Sequence, residues 1–323
     1  MTKSHLFRRI CGAVATGLLS IALLVGCGGG SGGGSNNPDT NKQTKAPPTE
    51  TFKYGTHEAK VYALSGIDLQ DKIRTWRLAS LGDDIFFQVG NKPAHMAKVT
   101  LKGETLSDYV DLGETGDSTD IAVNDKVVLW EGHNYKLVTY DGKETVTNGR
   151  WPGQIISKTG HGGIVGREEF FFIKSKTLFM GKLKDGTLKD TKEIVKDLSA
   201  ISPDFNRAQI APVCSDETGI YLRYNVNKPG DNRKFAILVA LDKNGKEIQR
   251  YEGVPGGRRE FCVTEKYVVY ADAEHNVRVF DKKSGKLLGD AKVSFQPFAL
   301  WTIKGNEVLA YDEVSKQLYR IEF

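Results

Sequence analysis

Residues suited to ligand binding recur at one kind of position along this chain of 323 residues. They lie in the segments that lead into short apolar runs, and these runs follow one another roughly every 40 to 50 residues. Aromatic and arginine side chains dominate the binding energy of many protein surfaces, and carboxylates and histidine can transfer protons. The candidate binding residues of this kind are Trp76, Arg77, Asp120, His161, Arg259 and Trp301.

Groups for catalysis are sparse in the same segments. Asp117 and Asp120 form an acidic pair, but no histidine lies at metal-ligand spacing from a second histidine or cysteine. No nucleophile elbow occurs, and no glycine-rich phosphate loop follows a strand and opens a helix. We therefore expect no catalytic residue, no metal and no cofactor. The acidic pair keeps an enzyme open as the alternative.

The apolar runs belong to a repeated unit of short strands. Residues 259–288 hold one complete unit, with strands over 260–264, 267–270 and 277–280 and a hairpin turn at Gly285. Four-stranded units with this period are typical of β-propellers. The units align on the apolar residue that ends the first strand, namely Leu81, Val123, Val165, Cys214, Val263 and Ile303.

This repeat predicts an all-β domain, a six-bladed β-propeller. The last unit ends at Phe323, after its third strand, which would leave an unpaired edge. The apolar segment 58–64 can supply the missing strand, so we predict a ring closed by this N-terminal strand in the last blade. Hairpins such as Val279 to Lys286 resemble those of bacterial propellers with YVTN, PQQ-like or TolB-like repeats. The resemblance concerns architecture and implies no substrate.

The N-terminus has the pattern of an export signal. Lys3, Arg8 and Arg9 precede an apolar segment over 10–25. Leu24-Val25-Gly26-Cys27 resembles the lipobox of bacterial lipoproteins, in which the cysteine thiol is lipidated and the new N-terminus is acylated, as with palmitate. The resemblance implies a signal peptide over 1–26, a lipid on Cys27 and attachment to a bacterial membrane. An ordinary secretory signal with an incidental cysteine is the alternative.

The remaining chain divides into a tether and a folded domain. Residues 27–51 comprise Cys27 and a Gly/Ser/Pro-rich stretch that cannot bury a core, so we expect a flexible tether. Residues 52–323 form the expected propeller domain. Removing the three basic residues of the leader lowers the net charge from +5 to about +2, which excludes a strongly basic nucleic-acid-binding protein.

Two cysteines fall within the folded domain. Cys214 and Cys262 lie on the first strands of adjacent units, so a disulfide is one alternative in an oxidising envelope. The alignment places them one register apart, and two buried thiols are the other alternative.

Together these observations predict an extracytoplasmic lipoprotein of the bacterial cell envelope, held at the outer membrane or at the outer face of the plasma membrane. Its propeller acts as a binding or scaffold module for a protein or a glycan. The alternative is a propeller enzyme of the lactonase, lyase or glycosidase type, with its site at the channel mouth.

Overall fold

The structure is a computed structural model in which nearly all regular elements are β-strands. In the described part of the chain the one helical element is a 3₁₀ turn, Leu198–Ile201. No helix in that part is long and apolar enough to cross a bilayer. The described residues are 46–67, 73–90, 94–115, 120–123, 127–131, 134–139, 145–150, 162–165, 169–174, 176–184, 187–201, 209–226, 235–255, 260–272, 274–312 and 314–323.

Five antiparallel sheets of four strands follow one another along the chain, and in each the strands pair in chain order. We call them blades 1 to 5. Blade 1 contains β3 (Ile73–Leu81), β4 (Asp84–Val89), β5 (Ala94–Lys102) and β6 (Thr105–Thr115). Blade 2 contains β7 (Asp120–Val123), β8 (Val127–Glu131), β9 (Asn134–Val138) and β10 (Thr145–Arg150). Blade 3 contains β11 (Gly162–Val165), β12 (Glu169–Lys174), β13 (Thr177–Lys184) and β14 (Thr187–Val195). Blade 4 contains β15 (Gln209–Ser215), β16 (Ile220–Val226), β17 (Phe235–Leu241) and β18 (Glu247–Pro255). Blade 5 contains β19 (Glu260–Val263), β20 (Tyr267–Ala271), β21 (Asn276–Asp281) and β22 (Leu287–Lys292).

The two ends of the domain share one further sheet, which we call the closing sheet. Its strands are β1 (Glu50–Tyr54), β2 (His57–Ala63), β23 (Pro297–Thr302), β24 (Glu307–Asp312) and β25 (Gln317–Glu322). They pair in the order β1-β2-β25-β24-β23. Val61 of β2 pairs with Ile321 of β25, and Phe52 of β1 pairs with Ala59 of β2.

The closing sheet corrects the prediction of a six-bladed propeller. The structure has five blades of four strands, not six, and the last repeat is completed as a five-stranded sheet from both ends of the domain. The N-terminal segment does pair with β25, but β1 adds a second N-terminal strand outside it. Phe52 and Tyr54 alternate with exposed residues along β1 and are buried, which stabilises this extra strand.

The sheets are arranged radially. The innermost strands contact one another in the order β3, β7, β11, β15, β19 and β23, and β23 contacts β3 again. This closed arrangement is that of a β-propeller.

The core is divided among the boundaries between neighbouring sheets. The second strand of a blade is buried on both faces, which explains its continuous apolar sequence; Phe170, Phe171 and Phe172 of β12 are an example. One cluster joins blades 4 and 5 through Tyr221 and Phe261. Further clusters join blade 5 to the closing sheet, the closing sheet to blade 1, and blade 3 to blade 4.

Candidate functional site

A cavity of about 650 Å³ opens where blade 4, blade 5 and the closing sheet meet. It lies on what we call the hairpin face, the side that carries the turns 216–219, 242–246, 264–267 and 281–286. In an antiparallel meander these turns, which join first to second and third to fourth strands, lie on one side of the sheet. The lining residues are His57, Thr218, Tyr221, Ala240, Ile248, Gln249, Tyr251, Glu265, Lys266, Tyr267, Asp281, Lys282, Lys283 and Leu288.

Two buried tyrosines of blade 4 form the inner part of the cavity. The Tyr251 hydroxyl donates to the backbone oxygen of Lys282 at 2.7 Å. The Tyr221 hydroxyl donates to Asp216 Oδ2 at 3.3 Å. Burial raises the pKa of both phenols far above the ordinary value. These hydroxyls are therefore neutral and already engaged within the protein, and the two rings contribute apolar edges to the cavity.

An ion pair between blades 4 and 5 lies beside the tyrosines. Lys282 Nζ is 2.5 Å from Asp216 Oδ2, and it also donates to the Thr264 backbone oxygen at 3.1 Å. Burial alone would raise the pKa of Asp216, but hydrogen bonds from Lys282 and from Thr218 outweigh it, so the pKa is lowered. The pair is therefore charged, and the wall of the cavity is held by charge-assisted hydrogen bonds.

The turn of blade 5 that forms this wall is preorganised by its own side chains. Asp281 accepts hydrogen bonds from the Ser284 amide at 2.7 Å and from Ser284 Oγ at 2.6 Å. These bonds lower the pKa of Asp281, with a smaller contribution from the charge of Lys283. Gly285 follows with φ of +71°, a conformation that suits glycine, and packs against the backbone oxygen of Arg250.

The rim of the cavity is exposed and mixes apolar and charged groups. Ile248 is 47% exposed, although its side chain is a large aliphatic one. Lys266 and Lys283 are also exposed. On the side of the closing sheet, the His57 ring stacks on Tyr54 with 5.4 Å between centroids, and Tyr54 meets Tyr267 edge to face at 5.9 Å. An apolar centre within a charged rim is the anatomy of a recognition site.

The described residues contain no group of three or more His, Cys, Asp or Glu side chains that could hold a metal ion.

Of the binding residues predicted from the sequence, Trp301 is the one whose side chain the structure describes, and it is not among the residues that line the cavity. Trp301 lies on β23 opposite Leu309, where it packs half-buried against the cluster between the closing sheet and blade 1. Its surroundings are those of an inter-sheet packing residue.

The other candidates belong to parts of the chain whose side chains the structure does not describe. Trp76 and Arg77 fall on β3, within a register shift between Arg74 and Leu78, and Asp120 begins β7. The side chains of these three lie outside the described part of the chain, as do all atoms of Cys27, Asp117, His161 and Arg259.

The prediction also favoured the other side of the domain. It selected the segments that lead into the first strands, whereas the cavity is formed by the turns at the opposite ends of the sheets. What the sequence shows of the cavity is limited to its hairpin turns and to one isolated apolar residue. Asp-Lys turns followed by glycine recur at 242–245 and 281–285, and Ile248 interrupts a polar stretch next to the first of them.

The two cysteines of the domain are thiols and are not joined by a disulfide. Cys214 Sγ contacts the backbone oxygen of Phe261 at 3.1 Å and packs on the cluster between blades 4 and 5. Cys262 faces the other way, into the cluster with the closing sheet. Successive residues of β19 point to opposite faces, so the disulfide alternative is wrong. Burial raises the pKa of Cys262 to about 12.

No protein-family model and no curated protein matches the sequence of this chain. Among solved structures, the Pan2 WD40 domain of Neurospora crassa aligns with a TM-score of 0.51 and 8% identity, over 78% of this chain and 79% of that chain. The fold is a β-propeller. At this identity the likeness shows the fold alone.

Two further propellers align with lower TM-scores. The WD40 β-propeller domain of Doa1 gives 0.48 at 14% identity, over 76% of this chain and 77% of that one. BamB from Moraxella catarrhalis gives 0.43 at 10% identity, over 81% of this chain and 98% of that one.

Proposed function

We propose that this chain is a lipid-anchored binding module of the bacterial cell envelope, and that it recognises a partner protein through the cavity on the hairpin face. The observation that carries the binding function is the cavity itself, a concave site of about 650 Å³ with an apolar interior and a charged rim. Rigid walls favour affinity because little conformational entropy is lost on binding. Here the ion pair Lys282–Asp216 and the turn at Asp281 supply those walls.

A protein suits the cavity better than a glycan. Sugars stack on exposed aromatic faces and need many free hydrogen-bonding groups. Tyr221 and Tyr251 are fully buried, and their hydroxyls already have partners within the protein. Ile248 lines the cavity and is exposed, so it offers an aliphatic surface against which an apolar side chain of another protein can pack.

Anchoring is supported by the leader and by the direction of β1. The segment Leu24 to Cys27 has the residues of a lipobox behind a charged and apolar leader. β1 begins at Glu50, whose carboxylate accepts hydrogen bonds from Ser294, in the loop between β22 and β23. It then runs to Tyr54 at the hairpin face. The start of β1 therefore lies at the end of the closing sheet opposite the hairpin face.

Anchoring and binding are tested by separate variants of the full chain. Cys27→Ser should move the protein from the membrane fraction to the soluble fraction, and intact-mass measurement should show lipid on the wild-type N-terminus. A wild-type N-terminus without lipid would refute the anchor.

For binding, Ile248→Glu replaces the exposed aliphatic side chain of the rim with a charge and should abolish co-purification of the partner that the wild-type chain retains. The control is Tyr109→Glu, because Tyr109 is equally exposed at 46% but lies on blade 1. Equal partner recovery with both variants would contradict binding through the cavity.

A further inference from the structure

Some of the charged side chains around the cavity already bind partners within the described part of the protein, and others do not. Lys282 is held by Asp216 and by the Thr264 backbone oxygen. Asp281 uses its carboxylate on Ser284 of its own turn. Neither group is therefore free to reorient toward a ligand.

Glu265, the other carboxylate that lines the cavity, is exposed and lies beside a turn of the closing sheet. Its Oε1 lies 4.0 Å from the position that a Cβ would take at Gly305, in the turn between β23 and β24. The Glu265 amide donates to the Gly305 backbone oxygen, which fixes the residue against that turn. Its charge thus belongs to the boundary with the closing sheet.

Two lysines remain at the mouth. Lys266 and Lys283 belong to different turns of blade 5, both line the cavity, and both are exposed. The same cavity is lined by the apolar side chains of Ile248 and Leu288 and by the two buried tyrosines. Charges that face each other across an interface set its specificity, and a lysine at the mouth favours a carboxylate on the partner.

We propose that the partner segment is acidic, with an apolar side chain that enters the cavity and carboxylates on either side that pair with Lys266 and Lys283. This inference rests on the proposed function, because it names the chemistry of the partner that the cavity binds. The apolar side chain contributes burial against Ile248 and Leu288. The flanking carboxylates contribute orientation and discrimination against basic segments.

The test uses two fluorescent hexapeptides of opposite charge, acetyl-DDFLDD-amide and acetyl-KKFLKK-amide, and the full chain in mild detergent. Fluorescence anisotropy should show binding of the acidic peptide only, and raised salt should weaken it. The double variant Lys266→Glu with Lys283→Glu should lose on the order of tenfold in affinity for the acidic peptide and gain the basic one. The control Lys292→Glu should bind as the wild-type does, because Lys292 is exposed at the other end of β22.

Two results would overturn the inference. One is equal binding of both peptides, or of neither, by the wild-type chain. The other is an unchanged preference in the double variant at an unchanged melting temperature. Should the double variant fail to fold, the milder Lys266→Gln and Lys283→Gln answer the same question by removing each charge. If both peptides bind equally and Ile248→Glu abolishes both, the inference fails while the proposed binding site stands.

Discussion

Lys282 of blade 5 places its ammonium nitrogen 2.5 Å from Asp216 of blade 4, and this ion pair joins two blades beside the candidate cavity. Only 16% of the Lys282 side chain and 19% of the Asp216 side chain is exposed. Such a pair holds the two turns in a fixed relation, so the shape of the cavity depends on the charge of Asp216.

The ion pair predicts a stability loss in acid. The pKa of Asp216 is lower in the folded protein than in the unfolded chain, so its contribution is present above the ordinary pKa and is lost as the pH falls through the folded value. The melting temperature of the wild-type chain should therefore fall more steeply below about pH 4 than that of Asp216→Asn. Melting curves between pH 2 and 7 measure the difference, and parallel curves for the two proteins would contradict the assignment.

At neutral pH the same substitution should lower the free energy of unfolding by about 1 to 3 kcal/mol, because it leaves Lys282 without its charged partner. The matched control is Asp83→Asn. Asp83 pairs with Lys304, but about half of each side chain is exposed, so its loss should change stability little. Denaturant titration distinguishes the two variants, and equal losses would show that burial of the pair does not matter.

A glycine pair tests the packing of the blade 5 turn. Gly285→Ala should be more destabilising than Gly82→Ala by roughly 1 to 3 kcal/mol. Both positions have positive φ, but a Cβ at Gly285 would lie 2.7 Å from the Arg250 backbone oxygen, whereas nothing lies within 4 Å of one at Gly82. The shared cost of the left-handed conformation cancels in the comparison. If the two variants were equally destabilised, the turn at Gly285 would be able to move away from blade 4 without a loss of free energy.

The last residue of the chain contributes to the closing sheet. The Phe323 ring meets Phe52 at 6.0 Å and Tyr54 at 5.7 Å between centroids, in both cases edge to face. Phe323→Ala should cost about 2 to 4 kcal/mol of unfolding free energy, a little less than a fully buried phenylalanine. Val314→Ala is the control, since Val314 is 77% exposed. If Phe323→Ala lowered the free energy of unfolding no more than Val314→Ala does, the ring of Phe323 would not contribute to the core.

Truncation from the N-terminus tests each strand that the closing sheet takes from that end. Removal of residues 1–45 should leave the melting temperature unchanged. Removal of 1–55 also deletes β1 and its buried Phe52 and Tyr54, and should lower the melting temperature clearly. Removal of 1–64 exposes the edge of β25 and should cause unfolding or association. Equal melting temperatures for all three would contradict ring closure by this segment.

The repeat could be predicted from the sequence because the second strands whose side chains the structure describes are buried on both faces. Runs such as Ile85 to Phe87 and Tyr267 to Tyr270 therefore stay apolar in every unit and lie in β4 and β20. The blade count was wrong because β1 has only five residues next to a polar stretch, and its two buried aromatics gain their partners from the other end of the domain. When the partners that bury a strand are distant in the sequence, the residues around that strand show no repeating apolar pattern.

The candidate cavity could not be predicted for a similar reason. Its lining comes from turns of blade 4, blade 5 and the closing sheet, and each turn alone has the sequence of an ordinary hairpin. Asp281, for example, has the sequence context of a turn residue, and it does accept a hydrogen bond from Ser284 of its own turn. Its position beside Tyr251 follows only from the fold, in which the Tyr251 hydroxyl donates to the backbone oxygen of the neighbouring Lys282. The exposure of Ile248 likewise becomes informative only when the strand partners of β18 are known.

Photo-crosslinking from position 248 in the full chain tests the central claim most directly. A benzophenone amino acid replaces Ile248 in one variant and Tyr109 in the other, and the cells are irradiated before the envelope is isolated. If the hairpin face binds a partner protein, light should produce a discrete adduct of defined mass from position 248 and none of that mass from position 109. No adduct from position 248, or the same adducts from both positions, would contradict the account.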